Sequence, residues 1–202
     1  MLRDAATIGV SLFLALAAPV AGFAADVAPA APAPAYVPPT SSEFPPMTGW
    51  EVRGGLYVHD PLSPERGSLD VNGEILAPQI FQGSNPFWSQ FIPHPDLGAT
   101  INTVGKTSNL YGGAAWNFDL THRVFLGVDF GVGINDGKTG RNVPPGWNEI
   151  GCNWWFHESA SVGYRVTATW NVMVTVEHSS NAGFCAENRG LTNAGLRVGY
   201  QF

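Results

Sequence analysis

The chain has 202 residues, of which only 13% are charged, and a formal net charge of −6. An average soluble protein carries ~25% charged residues, so the composition is poor for a soluble domain, and the acidic balance gives no support to nucleic-acid binding. After the first two dozen residues no stretch is long and apolar enough for a membrane helix, which leaves a membrane β-barrel, where only alternate residues face lipid, as the matching membrane architecture.

Residues 1–24 read as an export signal. Arg3 supplies a weak positive start, partly cancelled by Asp4. Ala5 to Ala21 is apolar apart from Thr7, Gly9 and Ser11, and Gly22-Phe23-Ala24 places small residues at both cleavage positions, so the cut is expected after Ala24. A retained anchor is the alternative, but the apolar stretch falls short of the ~20 residues a span needs. Residues 25–48 follow as a leader rich in Ala and Pro, a composition that favours extended, unpacked chain. It is read as periplasmic, with no chemistry of its own. Residues 49–202 suffice for one domain.

Within that domain eight segments alternate with period two, the signature of strands. The first sets Trp50, Val52, Gly54, Leu56 and Val58 against Glu51, Arg53, Gly55 and Tyr57. The second alternates Leu69, Val71, Gly73, Ile75 with Asp70, Asn72, Glu74. The third opposes Leu97, Ala99, Ile101 to Gly98, Thr100, Asn102, and the fourth runs from Leu110 to Leu120. The fifth is the clearest, with Val124, Leu126, Val128, Phe130, Val132 and Ile134 on one face. The sixth sets Phe156, Glu158, Ala160, Val162, Tyr164 against His157, Ser159, Ser161, Gly163, Arg165. The seventh carries Val172, Val174, Val176, His178 and Ser180 on one face, and the eighth Ala194, Leu196, Val198, Tyr200 and Phe202.

Apolar faces suit lipid contact, while Gly, small residues and mixed charges suit the interior of a narrow eight-stranded barrel. The expected fold is therefore all-β, an eight-stranded antiparallel transmembrane β-barrel over 49–202. The ending Tyr200-Gln201-Phe202 resembles the C-terminal signature of bacterial outer-membrane barrels. A soluble barrel or sandwich, with the apolar face inside, is the alternative that alternation alone does not exclude. With both barrel ends in the periplasm, strand seven runs outward and Ser180 lies near its outer end. The loops at 136–153 and 182–190 then face outside together and carry Cys152 and Cys185, a candidate disulfide in an exported protein. The long link from Ala77 to His94 falls on the periplasmic side, where short turns are the rule. Trp154 and Trp155 read as interfacial belt.

His178 and Ser180 are the base and nucleophile types of acyl-transfer chemistry. They lie on one strand face, about 6.6 Å apart along the chain. Such a base benefits from a carboxylate that holds its tautomer and stabilises the imidazolium. Glu158 is the charged residue on the apolar face of strand six, and a hairpin around Thr167 to Trp170 puts it or Ala160 opposite His178. Asn181, beside the serine, is a candidate oxyanion donor. The bland reading is that these groups mark a headgroup zone, where outward polar residues cost little. Gly137-Lys138-Thr139 lacks the upstream Gly of a phosphate-binding loop. His59, His94, His122 and His157 show no ligand spacing and read as ordinary polar residues.

At His178-Ser179-Ser180-Asn181-Ala182-Gly183, with Asn188-Arg189-Gly190 and the final Gly199-Tyr200-Gln201-Phe202, the sequence resembles the outer-membrane lipid A 3-O-deacylases, also labelled acyloxyacyl hydrolases. The resemblance implies a serine esterase that removes the acyl chain at position 3 of lipid A in the outer leaflet, with no metal or other cofactor and with lipopolysaccharide as partner. By the match, His178 is the base, Ser180 the nucleophile and Asn181 the oxyanion donor. One position departs: Thr192 stands where the family places its acid. Glu158 is the preferred acid on geometry, Glu187 the alternative, and a bare dyad is the third case. The competing function is a non-catalytic outer-membrane barrel with a structural or adhesive role.

Overall fold

A computed structural model describes residue 44, residues 47–81 and residues 83–202. The expected export signal and most of the expected leader lie outside the described residues. Eight antiparallel strands close on themselves: β1 (Glu51–Val58), β2 (Leu69–Leu76), β3 (His94–Asn102), β4 (Asn109–Asp119), β5 (Val124–Asn135), β6 (Trp154–Arg165), β7 (Trp170–Ser180) and β8 (Leu191–Gln201). Each strand pairs with its sequence neighbours, and β8 returns to β1, with Glu51 opposite Gln201. Closure leaves no free edge. Strands β3, β6, β7 and β8 begin two or three residues before the apolar pattern does, because ladder pairing continues past it; Pro95 and Asp96, for example, pair with Ala114 and Gly113.

The wall is inverted relative to a soluble barrel. Leu56, Val174 and Leu196 are 58%, 61% and 66% exposed on the outside. Arg53, Glu74, Asp129, Glu177 and Arg197 are buried inside. The soluble alternative required the opposite placement, so the apolar face is the one that meets lipid.

Charge pairing makes that interior tenable. Glu74 accepts from Arg197 Nη1 at 2.8 Å, from Arg53 Nη1 at 3.3 Å and from the Tyr111 hydroxyl at 3.3 Å. Arg53 also reaches Glu51 at 3.1 Å, and Arg197 Nε donates to the Tyr57 hydroxyl at 2.6 Å. Interior aromatics lie over glycines directly across the ladder: Tyr57 on Gly195, Tyr111 on Gly98 and Phe125 on Gly163. A Cβ at Gly163 would sit 2.1 Å from the Phe125 ring, so that position admits no side chain. Met47 packs on Phe125 and Met173 inside the barrel. Packed structure therefore starts ahead of the expected boundary at residue 49.

Both ends of the chain's barrel segment lie at one end of the cylinder, with the turns at 120–123 and 166–169 and the link at 77–93. The other end carries the loops at 59–68, 103–108, 136–153 and 181–190. Cys152 and Cys185 form a disulfide there, joining the third loop to the fourth. Trp154 and Trp155 separate: Trp154 is exposed beside Phe156 and Phe184, whereas Trp155 is fully buried with Ile150 and Leu191. The belt reading of Trp155 is thus corrected; strand alternation turns it inward.

Glu74→Ala should destabilise the barrel by about 3–5 kcal/mol, because it removes the carboxylate shared by two buried guanidinium groups. Urea unfolding in detergent micelles checks this, and an unchanged midpoint would contradict the role given to the ion cluster.

Candidate active site

His178 and Ser180 both point to the outer wall near the loop-bearing end, each half-buried. The hairpin register places Glu158 opposite His178 and Phe156 opposite Ser180 on β6. On the other side Thr192 of β8 is opposite His178. His178 Nδ1 lies 2.8 Å from Thr192 Oγ1. With the proton on Nδ1 the ring donates to that hydroxyl, and Nε2 keeps its lone pair, which is the tautomer a general base needs. Among the described residues Nε2 has no hydrogen-bond partner.

Gly190 fixes the other side of the ring. A Cβ built there would lie 2.6 Å from His178 Cε1 and 3.0 Å from Nε2. Extending the β7–β8 register by one step puts Gly190 level with Ser180, so the free Nε2 edge is turned toward the serine's level. No hydrogen bond joins Ser180 to His178, and bonds between a nucleophile and its base are often long outside the Michaelis complex.

The acid candidates behave differently from one another. Glu158 stands across from His178 and is exposed, but makes no hydrogen bond to the ring. Glu187 is turned away: Arg141 Nε donates to its carboxylate at 2.6 Å. The site therefore holds a hydroxyl at Nδ1 and a carboxylate on the flanking strand.

Asn181 is not on the outer wall. It is buried, and its amide nitrogen donates to the carbonyls of Ile150 and Glu187, both at 2.8 Å. Its Oδ1 accepts from Gly183 N at 3.0 Å, and its own N–H goes to Asn188 Oδ1 at 2.9 Å. With every donor engaged, Asn181 builds the turn after Ser180 and has none left for an oxyanion, which corrects the expected role. Alternation again gives the reason: the residue after an outward serine faces in.

The loops behind the site form one hydrogen-bonded body. Thr192 N donates to Asp60 Oδ1 at 3.1 Å, and Asn148 Nδ2 donates to Asp60 Oδ2 at 2.6 Å. Glu65 accepts from Thr107 N at 3.0 Å and from Asn148 N at 2.8 Å. His59, fully buried, sits between Asp70 at 2.8 Å and Glu65 at 3.1 Å. Asp60 and Thr192 thus reach His178 through two hydrogen bonds. Period-two patterning carries no signal for Asp60, which lies in a loop with φ of 35°.

The carboxylates of Glu74, Asp96 and Asp129 approach one another inside the wall. Arg53 and Arg197 offset that charge, and Ser159 donates to Asp129.

A narrow antiparallel barrel with a His-Ser pair on its apolar exterior defines a class: outer-membrane barrels whose site opens to lipid. The family model described as lipid A 3-O-deacylase (PagL) matches residues 88–201. The chain belongs to that family. The crystal structure of the outer membrane enzyme PagL is similar, with a TM-score of 0.56 at 16% identity over 75% of this chain and 99% of that one. The N-terminal β-barrel domain of Pseudomonas aeruginosa OprF gives 0.50 at 14% identity, over 77% and 98%. Likeness at these identities speaks for the fold alone. Comparison with curated proteins finds no match.

The His59 clamp makes the loop end sensitive to pH. Burial alone would lower the His59 pKa, but the hydrogen bonds and charges of Asp70 and Glu65 outweigh it and raise it from 6.5 to about 9. A raised folded-state pKa gives stability that is complete below the unfolded value and lost as pH climbs through the folded one. Glu65 shifts the other way: burial opposes, yet its bonds to His59, Asn148 and Thr107 lower it below 4.5. Its contribution holds above 4.5 and fades as pH falls further. Amide exchange at Thr107 and Asn148, corrected for its intrinsic pH dependence, should stay slow between these values and accelerate above about pH 9. His59→Gln should remove that step.

Proposed function

We propose that the protein is a serine esterase that cleaves the 3-O-linked acyl chain of lipid A from the outer-membrane surface. The observation that carries this reading is the outward His178, with Nδ1 held by Thr192 and Nε2 free at the level of Ser180, in a chain of this family. Ser180 Oγ attacks the ester carbonyl carbon as its proton passes to His178 Nε2. The sugar 3-hydroxyl leaves with that proton. Water, deprotonated by the same nitrogen, then releases the fatty acid and restores the serine.

A depression of about 420 Å³, lined in part by Phe130, Glu158, Ala160, Val176 and His178, lies beside the imidazole on the outer wall. It is a seat for the acyl chain at a site open to lipid. Glu158 acts on the imidazolium through its charge, at the ~5 Å typical of paired Cβ atoms. Thr192 orients the ring without adding charge. The oxyanion falls to a backbone N–H of the turn after Ser180, and Ala182 N–H is the candidate, since those of Asn181 and Gly183 are already bonded.

Mass spectrometry of lipid A from cells making the protein tests this. One 3-hydroxyacyl chain should be lost, and Ser180→Ala and His178→Ala should each abolish the loss. Gly190→Ala, which displaces the ring, should lower the rate about 100-fold. Thr192→Asp, which places a carboxylate at Nδ1, should raise it. Unchanged lipid A with well-folded protein would refute the activity.

A further inference from the structure

The link between β2 and β3 is long for the end of the barrel that carries it, and residues 77–93 contain no charged side chain. A loop bathed in water gains from charge, so this composition needs an explanation. The link is not loose. Ala77 N donates to Pro95 O at 2.8 Å, and His94 Nδ1 meets Ala77 O at 2.8 Å. Gln79 Nε2 donates to the carbonyls of Ser89 and Ile92, both at 2.7 Å. A one-turn helix, α1 (Pro86–Ser89), starts on Asn85, whose side chain accepts from Trp88 N. The amide side chain of Gln90 accepts from Asp119 N at 2.6 Å.

Gln79, Asn85 and Gln90 thus spend their side chains on the link itself and on β4. What faces out is Ile80, Phe81, Phe87, Trp88 and Phe91, each more than half exposed. Phe87, Trp88 and Phe91 are in ring contact with one another at 5.1 to 5.8 Å. This cluster joins the outer wall. Phe91 stacks edge-on to Phe118 at 5.7 Å, and Trp116 Nε1 donates to Phe91 O at 3.2 Å. Trp116 and Phe118 pair with Val128 and Leu126 on the apolar face. The patch therefore continues the lipid-facing band past the strand ends.

We infer that Ile80, Phe81, Phe87, Trp88 and Phe91 form a membrane-interface anchor that inserts among the phospholipid headgroups of the leaflet at the short-turn end, the periplasmic leaflet. This rests on the outer-membrane reading of the barrel. Aromatic side chains favour that layer because a large apolar ring and a polar N–H are both accommodated there.

The full chain in vesicles of phosphatidylethanolamine and phosphatidylglycerol tests the anchor, using lipids brominated near the headgroup or near the chain end. Subtracting the fluorescence of Trp88→Phe from that of the parent isolates Trp88. Its emission should be quenched more by shallow bromine than by deep bromine and should resist aqueous acrylamide. Quenching by acrylamide with none from brominated lipid would overturn the anchor. So would shielding from both, which would mean a protein partner or a second copy covers the patch. The emission left in Trp88→Phe, which includes the outward Trp154 and Trp170, reports on the barrel itself. If it too escapes brominated lipid, the outer-membrane reading fails together with the anchor; if it is quenched while Trp88 is not, only the anchor fails.

Discussion

Glu74 held between Arg53 and Arg197 is the interaction on which the rest depends. A strand that presents valines on one side must present something else on the other, and here the other side includes the buried Glu51, Arg53, Asp70, Glu74, Asp129, Arg165, Glu177 and Arg197. Taken singly, each would cost several kcal/mol to bury. Glu51, Arg53, Glu74 and Arg197 are joined to one another and to Tyr57 and Tyr111 in one hydrogen-bonded cluster inside the closed cylinder. Closing it that way turns the valine- and leucine-bearing strand faces to the exterior, while Phe125, Met173 and Trp155 stay inside, and the exterior then requires lipid. The orientation of His178 and Ser180 follows from the same commitment, since they share a face with Val172, Val174 and Val176.

Under the proposed activity, that placement suits a substrate that stays in the bilayer. The proposed pair would stand where an acyl chain lies, and no cavity would have to extract it. The cost is a site without walls of its own. The loop end compensates: Asn181 locks the turn after the serine, Asp60 holds Thr192, and the disulfide joins the two loops that flank the pair. Gly190 leaves room for the ring and no more. Thr192 holds the ring without adding charge, and in the proposed mechanism the imidazolium would draw on Glu158, which stands opposite without touching it.

Most of the wall was legible in the amino-acid sequence, because a strand's two faces are set by residue parity alone. Parity left Glu158 or Ala160 opposite His178 and turned all three outward; the hairpin register selects Glu158. Applied one step further it also places Asn181 inside, a consequence obscured by attention to its amide as a donor. Trp155 was misread for the same reason, with belt chemistry weighed ahead of parity. Asp60, Asn148 and Glu65 carry no such periodic mark. They lie in loops distant in sequence, and only barrel closure brings them together. The link at 77–93 was visible as an anomaly, but its inward hydrogen bonds and outward rings belong to the three-dimensional arrangement.

The central claim is that Ser180, on the lipid-facing wall, is the nucleophile. A fluorophosphonate probe applied to the protein in detergent micelles, followed by peptide mass spectrometry, tests it most directly. The account requires a single adduct on Ser180 that is lost in His178→Ala. An adduct on the inward Ser179, or ester hydrolysis that persists with Ser180 unlabelled, would contradict it.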